Sequence, residues 1–223
     1  MLVLFDIDGT LLDDEAAVAA GVRALHASTG AILSLEQFAS AWQAALDRYF
    51  DLFASGGIGF LEQRRARIRD VVDASLDDAA ADALFDVYLH AHEQAWALYE
   101  DVLPCLETLE SHRLGIVSNG LGSQQRAKLE QTGILGRFDP IVISDDVDLR
   151  KPDPAIFLRA CSAAGVAPHD AVHVGDRYGA DAVGARSAGL TGVWLDRAGA
   201  RQDKHEAPVV SNLVEFARAL GPA

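Results

Sequence analysis

Cysteine, lysine and methionine are nearly absent from this chain: two cysteines, three lysines and one methionine in 223 residues. Cys105 and Cys161 stand far apart and outside any metal-ligand spacing, so neither a disulfide framework nor a zinc site is indicated and two buried thiols are expected. Long apolar runs are missing as well. No stretch approaches the ~20 apolar residues of a membrane-spanning helix, and apolar Met1 to Phe5 meets Asp6 too early for a signal-peptide core. A reducing cytoplasm is therefore the expected location, with no membrane partner. Positive charge is scarce. A formal net charge of -14 repels polyanions at long range and argues against a nucleic-acid polymer as partner. A small anionic substrate stays open, provided that a bound cation offsets the acidic surroundings.

What is present is a hydrophobic content of 50% against 23% charged residues, ordinary for a globular chain with an extensive core. Leu2 to Ile7 is a short apolar run ended by Asp8-Gly9 and reads as a buried parallel strand. Similar runs follow at Leu114 to Val117, Ile141 to Ile143, Ala171 to Val174 and Gly192 to Leu195, separated by helical segments such as Gln124 to Gln131 and Ala155 to Ala164. This alternation predicts an α/β fold, a Rossmann-like parallel sheet with helices on both faces.

One interval breaks the rhythm. From Asp14 to Leu98 only helical periodicity appears, with breaks at Ser28 to Gly30, Ser55 to Gly57 and Ser75, which is enough chain for four helices. Ser34 and Gln37 have capping-box spacing and predict a helix start. The expected division is a core of residues 1–13 and 99–223 with an all-helical insertion of residues 14–98. Ala198 to Val209, polar and containing Pro and Gly, reads as a surface loop before a last helix over Leu213 to Leu220.

Parallel sheets bind ligands beyond the carboxyl ends of their strands, and every such end here is polar. The first strand delivers Asp6, Asp8 and Thr10, the second Ser118 and Asn119, the fourth Asp176 with Asp181 a turn further on; Lys151 precedes Pro152-Asp153-Pro154. Carboxylates at i and i+2 of an extended segment point the same way and repel unless a cation or proton lies between them. Mg2+ suits that position, because it takes one or two carboxylates plus substrate phosphate; Asp6, Asp176 and a backbone carbonyl would supply the ligands.

In combination and order, these elements resemble the haloacid dehalogenase-like hydrolase superfamily, in its phosphatase branch with a helical cap between the first and second motifs. Asp6-x-Asp8-x-Thr10 matches the first motif, Ser118-Asn119 the second, Lys151 the third and Gly175 to Asp181 the fourth. The resemblance implies that Asp6 is a nucleophile forming an aspartyl-phosphate. Asp8 would protonate the leaving oxygen, then activate water, and bind Mg2+ through its carbonyl. Thr10 would orient these groups. Ser118, with the amides around Asn119 and Gly120, would bind the phosphate. Lys151 would pair with the phosphoryl oxygens and Asp6, Asp176 would ligate the metal, and Asp181 would support it from behind.

The cap would help to choose the substrate. Arg64, flanked by Phe60, Leu61 and Ile68, is the candidate contact there, although an arginine stem covering apolar side chains is the commoner use of such a position. Trp42 reads as packing. The cap has no lysine, so the Schiff-base chemistry of the phosphonate-cleaving relatives is disfavoured; Asp8, which the dehalogenases proper lack, disfavours carbon–halogen cleavage. The expected function is a magnesium-dependent phosphatase of a small phosphorylated metabolite, a sugar phosphate, nucleoside 5'-monophosphate or phosphoglycolate-like compound. A sugar phosphomutase is the nearest alternative and a phospho-accepting receiver module a more distant one.

Overall fold

The computed structural model describes residues 1–54, 56–199 and 206–221, without the side chains of residues 51 and 54. Parts of two sequence expectations, the break at Ser55 and the loop residues 200–205, lie outside the described residues. The chain forms two compact units, one of Met1–Asp14 with Trp96–Ala223, the other of Glu15–Ala95. Among the described residues no helix is long and apolar enough to cross a membrane.

Strand β1 (Leu2–Phe5) opens the first unit, and the chain then runs through helices α1 (Asp14–Thr29), α2 (Leu35–Ala54), α3 (Phe60–Val71) and α4 (Asp78–Gln94). At the start of α2 the capping box closes as its spacing predicts: Gln37 N–H donates to Ser34 Oγ at 3.2 Å, and Ser34 N–H donates to Gln37 Oε1 at 3.1 Å. Asp77 caps α4, its carboxylate accepting from Ala80 N–H at 2.8 Å. The helices bury one shared core of Val22, Leu25, Phe38, Trp42, Ile68, Ala81, Phe85 and Tyr88.

The first unit resumes with α5 (Val102–Thr108), whose Pro104 sits in the first turn where no amide is needed. Then follow β2 (Arg113–Ser118), α6 (Gly122–Gln131), β3 (Ile141–Ile143), α7 (Ser144–Val147), α8 (Pro154–Ala164) and β4 (Ala171–Gly175). A π-helical turn over Tyr178–Val183 leads into α9 (Gly184–Ser187), and β5 (Thr191–Leu195), β6 (Val209–Val210) and α10 (Leu213–Leu220) complete the unit. All six strands are parallel, in the order β3-β2-β1-β4-β5-β6. Strand side chains alternate between faces. Leu2 and Leu4 therefore pack with Ile156, Phe157, Ala160 and Ala185 of α8 and α9, whereas the Phe5 ring meets Phe216 of α10 edge-on at 5.9 Å. Both faces of the sheet are covered, as the near-continuous apolar strands require. Cys105 and Cys161 are free, buried thiols.

Register decides where the polar residues go. Phe5 is level with Ile116 of β2 and with Val174 of β4, so β1, the innermost of these strands, ends beside Ser118 on one side and Gly175-Asp176 on the other.

Candidate active site

Asp6 follows the last residue of β1 and still donates its N–H to Val174 O at 3.0 Å, so its backbone is held as part of the sheet. After Asp8 the chain must turn sharply. Gly9 has φ +73, and a Cβ there would lie 2.6 Å from Asp176 Oδ2, so both the backbone conformation and the space demand glycine. Thr10, fully buried, accepts the Asp176 N–H on its hydroxyl at 3.1 Å and so ties the first strand tip to the fourth.

Lys151 is the centre of the charge arrangement. Its Nζ lies 2.7 Å from Asp6 Oδ1 and 2.7 Å from Asp181 Oδ1, and it is buried. Its loop is held by a reciprocal pair with Asn119: Lys151 N–H donates to Asn119 Oδ1 at 2.8 Å and Asn119 Nδ2 donates to Lys151 O at 3.0 Å. The Asn119 side chain is therefore a brace for Lys151. Gly120 donates its N–H to Ser144 Oγ at 3.0 Å. Ser118 Oγ accepts from Gln125 Nε2 at 2.9 Å, and its own hydrogen has only a long contact, 3.5 Å, with Asn119 O.

Asp181 is fully engaged. Its Oδ1 takes Lys151 and, at 3.0 Å, His173 Nε2, while Oδ2 accepts Arg177 N–H at 3.0 Å. Gly175 makes room for it, since a Cβ at that position would stand 2.2 Å from Asp181 Cγ. Asp176 is the opposite case. Its Oδ1 is buried and has no hydrogen-bond partner among the described residues, while its carbonyl is fixed by Trp194 Nε1 at 2.8 Å. One carboxylate oxygen each from Asp6, Asp176 and Asp181 lies within 4.8 Å of the others.

Three carboxylates and one ammonium leave an excess of negative charge in a dry place. Burial raises the Asp6 carboxyl above the usual range despite Lys151 alongside. Burial, then repulsion from Asp6 and Asp181, pushes Asp176 up to about 7. Asp181 is also disfavoured by burial, but Lys151 and His173 outweigh this and hold it below the usual range. Burial would lower Lys151, yet Asp181 and Asp6 raise it to about 12, so it stays charged. A divalent cation fits this donor set: hard oxygens, one of them orphaned, and two carboxyls whose ionisation it would restore. Asp6 and Asp176 would hold it, with Asp181 committed to Lys151, His173 and Arg177.

The sequence reading gives the helix over Gln124 to Gln131 but not its part in the site. Gln125 Nε2 donates to Asp8 Oδ2 at 2.8 Å and Lys128 Nζ to Asp8 Oδ1 at 2.5 Å, so both Asp8 oxygens are held from that helix. Lys128 is 3% exposed, with Asp14 Oδ1 at 4.0 Å and the Trp96 ring centroid at 5.8 Å. Burial pulls the Lys128 ammonium down, but Asp8 and Asp14 outweigh it and raise it. A signal existed: Lys128 is one of three lysines, three residues after Gln125 and on the helix that follows Ser118. His173 was missed because it reads as an ordinary strand residue. Arg64 lies on α3 in the helical unit, stacked on Phe60 and Phe85.

A strand-tip carboxylate with a buried lysine and an acidic cluster, at the carboxyl end of a parallel sheet, describes a class of α/β protein with a charged site. The family model for haloacid dehalogenase-like hydrolases matches residues 1–189, and the chain belongs to that family. It is similar to a glyceraldehyde 3-phosphate phosphatase of Methanopyrus kandleri, 42% identical over 101 residues, which are 44% of this chain; the chain spans 43% of that relative's length. Among solved structures, a HAD phosphatase from Thermococcus onnurineus is 31% identical with a TM-score of 0.69, over 99% of this chain and 97% of that one. A 2-haloacid dehalogenase from Pseudomonas syringae pv. Tomato is 29% identical with the same TM-score, 0.69, over 98% and 97%.

Proposed function

We propose that this protein is a magnesium-dependent phosphatase that hydrolyses a small phosphomonoester through a phosphorylated Asp6. The observation that carries the reading is the Asp6 carboxylate, buried at a strand tip, with the Lys151 ammonium at 2.7 Å and the orphaned carboxylate oxygen of Asp176 beside it. A carboxylate so placed attacks phosphorus, and the displacement splits into two easier steps. Lys151 neutralises phosphoryl oxygens and stays charged while doing so. Ser118 has a hydroxyl hydrogen to give to the transferred group. Asp8 takes up a proton from water in place of its contact with Gln125 or Lys128, gives it to the departing oxygen and then takes one from the attacking water. Mg2+ held by Asp6, Asp176 and the Asp8 carbonyl would draw charge from the phosphoryl oxygens.

In this reading residues 14–98 act as the cap that helps to choose the substrate and the remainder is the catalytic core. The phosphatase relatives support hydrolysis of a phosphate ester, and a sugar phosphate, nucleoside 5'-monophosphate or phosphoglycolate-like compound fits. Dehalogenases share the fold, but Asp8, gripped on both oxygens, and a metal-type acid cluster belong to phosphoryl chemistry. A panel of phosphorylated metabolites with Mg2+, assayed for free phosphate, tests the proposal with Asp6→Asn alongside. Wild type should turn over repeatedly and Asp6→Asn should lose roughly a thousandfold or more. Undiminished activity in Asp6→Asn defeats the nucleophile, and an isomeric phosphate ester in place of free phosphate would indicate a mutase.

A further inference from the structure

Helix α3 carries arginines at 64, 65, 67 and 69, and they are of two kinds. Arg65 is paired with Asp78 and Asp82, and Arg69 with Asp78 and Glu62. Arg64 and Arg67 have neither a hydrogen bond nor an ion pair among the described residues. Burial lowers the Arg64 guanidinium and outweighs Asp86, Glu93 and Asp82, which act on it from a distance and raise it.

Arg67 is 7% exposed, and its buried Nε has no acceptor. The indole Nε1 of Trp42, itself 0% exposed, also lacks one, and Arg67 Cζ stands 5.3 Å from the Trp42 ring centroid. Both guanidinium groups crowd one aromatic ring, with Arg64 Cζ at 4.8 Å and Arg67 Cζ at 5.0 Å from the Phe85 centroid; Phe60 adds a contact to Arg64 at 4.3 Å. Aromatic faces soften a buried positive charge, but they do not accept the several N–H hydrogens that a guanidinium points outward. Two cations one turn apart also repel each other. Burial lowers the Arg67 guanidinium to about 10; Tyr88 opposes this and Arg64 adds to it.

We propose that Arg64, Arg67 and the Trp42 indole form an oxyanion-binding site within the helical unit, for a small molecule that bears a carboxylate or a phosphate group. Guanidinium forks match both anions in bidentate geometry, and the indole N–H supplies a further donor. Phe60 and Phe85 hold the forks in place and lower the local dielectric, which strengthens the pairing. Arg64, half-buried, is the outer end of the site and Arg67 the inner. The site stands independently of the phosphatase assignment, because its occupation requires no turnover.

Titration of the full chain with succinate, and separately with inorganic phosphate, reads the site through the indole N–H resonance of Trp42. A saturable shift is expected with at least one of the two. Arg67→Met and Arg64→Met should each weaken it about ten- to a hundredfold, the loss of one charge-assisted pair. A response to succinate alone assigns the site to carboxylates, and to phosphate alone, to phosphate groups. If Arg67→Met does not fold, Arg67→Lys serves, since it keeps the charge, loses the fork and should still bind more weakly. A shift undiminished in the arginine variants, or a Trp42 resonance unmoved by both anions, overturns the proposal and leaves enclosed water as the partner of these donors.

Discussion

Asp8 is held at both oxygens by Gln125 and Lys128, and Gln125 reaches Ser118 with the same nitrogen, so one helix face positions both the carboxyl proposed for proton transfer and the hydroxyl proposed for phosphate. Removing the ammonium frees Asp8 to rotate, and the penalty should depend on the leaving group. An alkoxide needs a proton as it departs; p-nitrophenolate does not. In Lys128→Met, kcat/KM for alkyl phosphates should fall roughly a hundredfold or more, against a small loss for p-nitrophenyl phosphate. Equal losses for both would mean that Lys128 only supports the fold. At this scale the strand-tip residues Asp6, Asp8, Thr10, Ser118 and Asp176 are legible in the sequence, because an apolar run that stops at a polar residue is itself the signal. Lys128 and His173 are not, because their partners lie 120 and 8 residues away and come near only when strand and helix are assembled.

Among elements, the strongest local patterns translate directly. Leu213–Leu220 is helical over the expected span, and the Ser34/Gln37 spacing becomes a closed capping box at the start of α2. Ser34→Ala removes one half of that box and should cost about 1 kcal/mol, seen as a lower denaturant midpoint for the helical unit. An unchanged midpoint would show the cap to be without energetic weight. The sheet is less legible at its edge. β6 is only two residues long, Val209–Val210, too short for any periodicity, and it pairs only because Trp194 and Leu195 of β5 present an open edge. α6 is helical as expected for Gln124 to Gln131, but nothing in its polar sequence announces that Gln125 and Lys128 are buried and reach Asp8.

For the molecule as a whole, charge and pH connect the site to stability. The Asp176 carboxyl sits at about 7 in the folded chain, above its ordinary 3.8, so between these values the folded state keeps a proton that the unfolded state has released. Stability from this group is therefore present at low pH and declines as pH rises towards 7. The depressed Asp181 acts with opposite sign, but in a window below 3.8, and does not offset it. A cation bound at Asp176 needs the ionised form. The rise in Tm on adding Mg2+ should accordingly be larger at about pH 8 than at about pH 5.5; an increment independent of pH would separate the metal from this carboxyl. Purely helical periodicity leads to an expected insertion over 14–98; the compact helical unit spans Glu15–Ala95. The few residues of difference lie where Leu12 bridges to Leu98 and Asp13 N–H bonds to Ala97 O, backbone pairings that no side-chain pattern announces.

The central claim is a covalent one, that phosphorus is transferred to Asp6. Rapid acid quench during turnover, followed by mass spectrometry of the N-terminal peptide, addresses it directly. A phosphoryl group on Asp6, absent in Asp6→Asn and chased by water at the rate of turnover, is the predicted result. Full turnover with no labelled Asp6, or with the phosphoryl group on another residue, would contradict it.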